Sequence, residues 1–125
     1  MPRAIWQDQV GAAGMSSEIT TVEVEGGVVV SPTGALDVAG SPALHTLLHR
    51  HLDDGATRIV LDLSQVDFID STALRVLVSV HKRMPAGGFA LVCPHARIRR
   101  IFDLTALDRV LTLTDTVDEA LALLK

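Results

Sequence analysis

Aromatic residues are scarce in this chain of 125 residues, with three Phe, one Trp and no Tyr. Trp6, Phe68, Phe89 and Phe102 are scattered along the sequence, so neighbouring residues offer no stacking platform for nucleic-acid bases. The same scarcity argues against a large cofactor pocket. Positive charge is also in deficit: 11 Lys and Arg against 15 Asp and Glu leave a formal net charge of −4. Direct nucleic-acid binding gains from a basic face that releases counterions, and that composition does not supply one. Cys93 stands alone, so no intrachain disulfide can form and its expected role is that of a small buried hydrophobe. No apolar run approaches the ~18–20 residues that span a bilayer. The opening MPRAIWQDQVGAAGMSSE lacks the apolar core of a signal peptide, so the chain is expected in the cytoplasm, away from membranes.

Several catalytic chemistries are missing as well. GAAG near the N-terminus and the Gly87-Gly88 pair lack the pattern of a phosphate-binding loop. His45 and His49 share a helix face at a spacing of four, but the intervening residues lack the glutamate of a zincin helix and no third ligand is near. His51, His81 and His95 fall elsewhere, and Cys93-Pro94-His95 offers two ligands at most, so no metal is expected. No G-x-S-x-G elbow surrounds Ser71 and no histidine stands in a triad context, so no catalytic residue is assigned. A phospho-aspartate receiver is weighed for Asp62 and Asp70, but the acidic pair and late lysine it wants are not evident.

What is present is a single globular domain, 48% apolar and 21% charged, long enough to close one core. Residues 1–18 read as a flexible leader with Trp6 as its candidate point of order, and 19–125 as the domain. ITTVEVEGG alternates and breaks at Gly26-Gly27, which predicts a hairpin continuing through VVVS. Ser31 to Gly34 then breaks the strand, and Ala35-Leu36-Asp37 is expected to lead into a helix. Ser41-Pro42 reads as its start, with serine as N-cap and proline in the first helical position. Leu44, Leu47, Leu48, His51 and Leu52 form the helical stripe, and Gly55 closes it. IVLDL and FALVC read as strands covered on both faces. Between them, a polar turn is followed by a central helix apolar on more than one side, from Ala73 to Val80. A helix around His95–Thr105 turns Ile98, Ile101 and Phe102 inward. Its Arg97, Arg99 and Arg100 form a solvated face, or alternatively a docking surface for an acidic partner. LTLT is a last strand, and Thr116 caps a helix with Val117, Ala120, Leu121 and Leu124 on one side. Strands alternating with helices predict an α/β fold with a mostly parallel sheet of four to five strands, an antiparallel edge strand and about four helices.

The most informative stretch is RIVLDLSQVDFIDSTALRVL, Arg58 to Leu77. It sets Asp70-Ser71-Thr72 at a helix N-terminus. Capping alone explains Asp70 or Ser71 there, at roughly 1 kcal/mol. The positive helix end and its free amides also suit a phosphate. Phosphorylation would add about −1.5 to −2 charges beside Asp70, Asp37 and Asp67, and so repel a docked partner.

GALD at Gly34–Asp37, VLDLSQVDFIDSTAL at Val60–Leu74 and the tail from Arg97 to Leu124 together resemble a STAS domain, and specifically the bacterial anti-sigma factor antagonists. The resemblance covers nearly all of 19–125, in order and with family-like spacing. It implies that Ser71 is the phosphorylated residue, that Thr72 is the second hydroxyl of the motif, and that Asp37 is the aspartate of the G-x-L-D loop. The partner-binding set it implies is Asp37, Asp70, Ser71, Thr72, Ala73 and Arg75. Family members usually carry glycine where this chain has Ala73. The implied partners are an anti-sigma factor that is also a serine kinase and a phosphatase acting on phosphorylated Ser71, with a weak homodimer as a further association. ATP and magnesium would belong to the kinase, so the chain itself needs no cofactor and is no enzyme. Two alternatives stand beside this: a STAS scaffold subunit without a phosphorylation cycle, and a small α/β enzyme with a ligand near residues 34–37 and 70–72.

Overall fold

The structure, a computed structural model, describes residues 18–124; residues 1–17 of the expected leader, Trp6 included, lie outside the described residues. A five-stranded sheet organises the chain. β1 (Ile19–Val24) and β2 (Gly27–Pro32) form the expected hairpin, antiparallel with Val24 opposite Gly27. β4 (Arg58–Asp62), β6 (Phe89–Val92) and β7 (Thr112–Thr114) follow in parallel, in the order β1-β2-β4-β6-β7. Gly27 sits opposite Arg58 in that sheet. A Cβ there would lie 1.7 Å from the Arg58 carbonyl oxygen, so only glycine lets the hairpin close against β4.

Strand periodicity divides the apolar residues between two faces. Val28, Val30, Ile59, Leu61, Phe89 and Leu91 point into the larger core, whereas Val29, Val60, Ala90 and Val92 point the other way. The larger core is covered by α1 (Ser41–Asp53), α2 (Ser71–Arg83) and α3 (Ala96–Leu104). Their Leu44, Leu48, Leu77, Val80 and Phe102 are fully buried, each stabilising the fold by roughly 1.5–3 kcal/mol. α4 (Val117–Leu123) covers the opposite face through Ala120, with Val117, Leu121 and Leu124 packed around it. The Thr116 hydroxyl caps this helix by accepting from Glu119 N at 3.1 Å, and Gly55, at φ +97°, ends α1 in the left-handed conformation. The mostly parallel sheet, its antiparallel edge and the helices follow the sequence pattern.

Two expectations about local structure are corrected. Gly34–Leu36 is not a helix approach but a strand, β3, and the supposed polar turn before Asp70 contains another, β5 (Val66–Ile69). They pair in parallel as a separate two-stranded sheet. Gly34, at φ +83°, turns the chain out of β2, and its N–H donates to the Gln65 carbonyl at 3.0 Å. The second correction concerns the start of α1. Ser41 lies inside the helix, follows Gly40 at the cap position, and makes no side-chain cap bond. Its Oγ is buried without a partner, while Asp37 holds the amides of the turn just before the helix, Ala39 N and Gly40 N.

Candidate functional site

The two-stranded sheet brings two aspartates to one edge. Leu36 is opposite Ile69 in the β3–β5 register, so the next residue on each strand, Asp37 and Asp70, leaves the sheet at the same level. Asp70 N donates to the Leu36 carbonyl at 3.2 Å, which ties the two exits together. Each aspartate then organises the turn into a helix. Asp37 Oδ1 accepts from Ala39 N and Gly40 N, both at 3.0 Å. The Asp37 carbonyl accepts from Gly40 N and Ser41 N, which launches α1.

Asp70 is in extended backbone, and its Oδ1 accepts from Thr72 N at 2.9 Å and Ala73 N at 3.2 Å. The cap is therefore Asp70, and Ser71 is released from that task. Ser71, the first residue of α2, is exposed, and its hydroxyl has no hydrogen-bond partner among the described residues. Thr72 is half-buried, Arg75 is exposed and Ala73 is fully buried. The methyl that distinguishes Ala73 from glycine thus packs into the core, not towards a docked molecule.

No described histidine activates Ser71. His49 is engaged by Ser79 and Arg83, and His95 Nε2 by the Ser64 carbonyl at 2.8 Å. Among the described residues, no three His, Cys, Asp or Glu side chains are placed to hold a metal ion. No described helix is long and apolar enough to cross a membrane. Cys93 is buried, and that burial pushes its thiol pKa up to about 11, which suits a packing residue and not a nucleophile. A hydroxyl in this setting can receive a group delivered by another protein, and no histidine among the described residues is bonded to it to deprotonate it for attack.

Sequence reasoning missed two apolar contributors to the surface. Val38, directly after Asp37, is 70% exposed, and Phe68, two residues before Asp70 and opposite Ala35, is 50% exposed. The other phenylalanines, Phe89 and Phe102, are buried. A phenylalanine in a segment read as a turn was the available signal. At the start of β5, an open groove of about 520 Å³ is lined by Gln65, Val66, Asp67, His95, Arg97 and Ile98. The arginine face of α3 is largely engaged internally. Arg97 donates to the Asp67 carbonyl at 3.1 Å, while Arg99 donates to the Cys93 carbonyl and pairs with Asp115 at 2.6 Å.

Similarity to known proteins converges on one kind of domain. A family model described as the STAS domain matches residues 18–120. The TM1081 homolog of Thermotoga neapolitana is 36% identical over 101 residues, covering 78% of this chain and 89% of that protein. The anti-sigma-F factor antagonist RsfB of Mycobacterium tuberculosis is 29% identical over 107 residues, covering 85% and 88%. Among solved structures, an anti-sigma factor antagonist from Mycobacterium paratuberculosis superposes with a TM-score of 0.81 at 31% identity, covering 89% of this chain and 96% of that one. The anti-sigma factor antagonist SpoIIAA in its unphosphorylated form, at 19% identity and a TM-score of 0.65 over 83% of this chain and 94% of that one, shares the fold.

Proposed function

Because the chain belongs to the STAS domain family, we propose that it is an anti-sigma factor antagonist, a cytoplasmic protein-interaction switch with no catalytic chemistry of its own, controlled by phosphorylation of Ser71. The observation that carries this reading is the division of labour at the start of α2. Asp70 performs the capping, which leaves the exposed Ser71 hydroxyl available to an incoming kinase. The names of the RsfB relative and of the mycobacterial structure support the antagonist part of this reading.

In the unphosphorylated state, the surface around Asp37, Asp70, Ser71, Thr72 and Arg75 docks an anti-sigma factor and so frees the sigma factor. Val38 and Phe68 add apolar area to that contact, and Ala73 supports it from below by packing α2 into the core. The anti-sigma factor, acting as a serine kinase with its own ATP and magnesium, transfers the terminal phosphoryl group to Ser71 Oγ. The new phosphate brings about −1.5 to −2 charges next to the Asp70 carboxylate. The positive end of α2 offsets part of this, at roughly 0.3–1 kcal/mol, so the domain stays folded while the docked partner meets a crowded anionic surface. A phosphatase acting on phosphorylated Ser71 returns the chain to its binding form.

The test is incubation with ATP and the anti-sigma factor kinases of the source organism, followed by mass spectrometry of the peptides. Phosphate on Ser71, abolished in Ser71→Ala, is the expected result. Phosphate confined to Thr72, or to a serine outside this site, would overturn the assignment.

A further inference from the structure

The contact between α1 and α2 contains a run of polar side chains that the Ser71 site does not use. His49 and Asp53 of α1 meet Ser79 and Arg83 of α2, so the two helices run side by side in the same direction. Arg83 bridges both α1 residues. Its Nη2 donates to Asp53 Oδ1 at 2.8 Å, and its Nη1 lies 2.9 Å from His49 Nδ1. The other ring nitrogen, Nε2, is 3.1 Å from Ser79 Oγ, and that hydroxyl donates to the Val76 carbonyl at 2.8 Å. A guanidinium can only donate, so Nδ1 must accept and carries no proton. The Ser79 proton is already directed at Val76, so Nε2 must supply the hydrogen between ring and hydroxyl. A single protonation state satisfies the whole chain: a neutral imidazole with its hydrogen on Nε2.

We propose that this network is a pH-sensitive latch between α1 and α2, closed while His49 is neutral and released when its ring takes up a second proton. A proton on Nδ1 turns the acceptor into a donor aimed at the Arg83 donor, so the guanidinium must withdraw. Its fork also holds Asp53, and that pairing is disturbed by the same movement.

The charged and titratable groups facing His49 are His45 and Asp53 on α1 and Arg83 on α2; the His45 and His49 ring centroids are 4.2 Å apart. Burial first, then His45 and Arg83, hold the His49 pKa below its usual 6.5, with Asp53 opposing them. The unfolded chain therefore takes up this proton near pH 6.5, and the folded chain only at lower pH. The latch contributes fully above about pH 6.5 and is lost as pH falls through the folded value. Each pH unit between the two values corresponds to about a tenfold change in the folding equilibrium constant.

The experiment is a nitrogen-15 NMR titration of the histidine rings in the native chain, Arg83→Met and Ser79→Ala, alongside urea unfolding between about pH 7.5 and pH 5. The native ring is expected as the Nε2–H tautomer, titrating below 6.5. Arg83→Met should raise the His49 pKa and flatten the loss of stability at low pH, and Ser79→Ala should weaken the tautomer preference. A native His49 carrying its proton on Nδ1, or titrating identically with and without Arg83, would overturn the latch. These readouts use the isolated protein and are indifferent to whether Ser71 is ever phosphorylated.

Discussion

Replacing Asp70 by alanine isolates the physical basis of the site. The substitution removes the single oxygen that accepts from both Thr72 N and Ala73 N, and α2 has no acidic residue in its first turn to take over. Loss of such a cap costs about 0.5–2 kcal/mol, and loss of a negative charge at a helix N-terminus about 0.3–1 kcal/mol more. Asp70→Ala should therefore lose about 1–3 kcal/mol. Asparagine is as good a cap as aspartate, so Asp70→Asn should lose only the charge contribution, about 0.5 kcal/mol. Urea denaturation followed by circular dichroism resolves the two. With a slope of about 1–3 kcal/mol per M for a small domain, the alanine midpoint should fall by roughly 1 M and the asparagine midpoint by a few tenths. Equal midpoints for native and Asp70→Ala would refute the assignment of Asp70 as the cap, and with it the reason Ser71 is left unengaged.

Other perturbations probe separate parts of the account. Leu77→Ala, at a fully buried position on α2, should destabilise by about 2–5 kcal/mol, measured in the same urea assay. Gly27→Ala forces a methyl against the Arg58 carbonyl and should prevent the hairpin from seating beside β4, seen as a lowered melting temperature and lost amide protection in β2. Phe68→Ala removes a half-exposed ring; melting should shift little, while affinity for an anti-sigma factor measured by calorimetry should fall at least tenfold. Cys93, buried with a pKa near 11, should react with a thiol reagent at pH 8 only at the rate of unfolding. Fast labelling of the native protein would contradict its burial.

The parts of the fold that were legible in the sequence are those with a local cause. Gly26-Gly27 marks the hairpin, the spacing of Leu44, Leu47 and Leu48 marks the buried face of α1, and Thr116 marks the start of α4. The continuous runs at Ile59–Leu61 and Phe89–Val92 imply a sheet covered on both faces, and the two cores divide those residues accordingly. β3 and β5 were not legible, because each is only three or four residues long and its partner is remote in the chain. Polar Ser64, Gln65 and Asp67 around β5 imitate a turn, and nothing local announces the pairing with Gly34–Leu36. At the start of α1 the expected serine cap does not form. Ser41-Pro42 carries a strong start signal, but the Asp37 turn that holds the Ala39 and Gly40 amides puts the cap position at Gly40, one residue earlier. At the site, proximity of Asp37 to Asp70 was implied by family resemblance, and its physical cause is the in-step ending of two strands. Exposure of Val38 had no sequence signature, and that of Phe68 had only its place in a segment read as a turn.

The central claim is that one phosphate on Ser71 releases the partner without unfolding the domain. Calorimetric titration of unphosphorylated and Ser71-phosphorylated protein against the same anti-sigma factor tests it most directly. The account predicts binding by the first form and affinity weaker by at least a hundredfold, about 2.7 kcal/mol, for the second, with both forms melting cooperatively. Equal affinities for the two forms would contradict it.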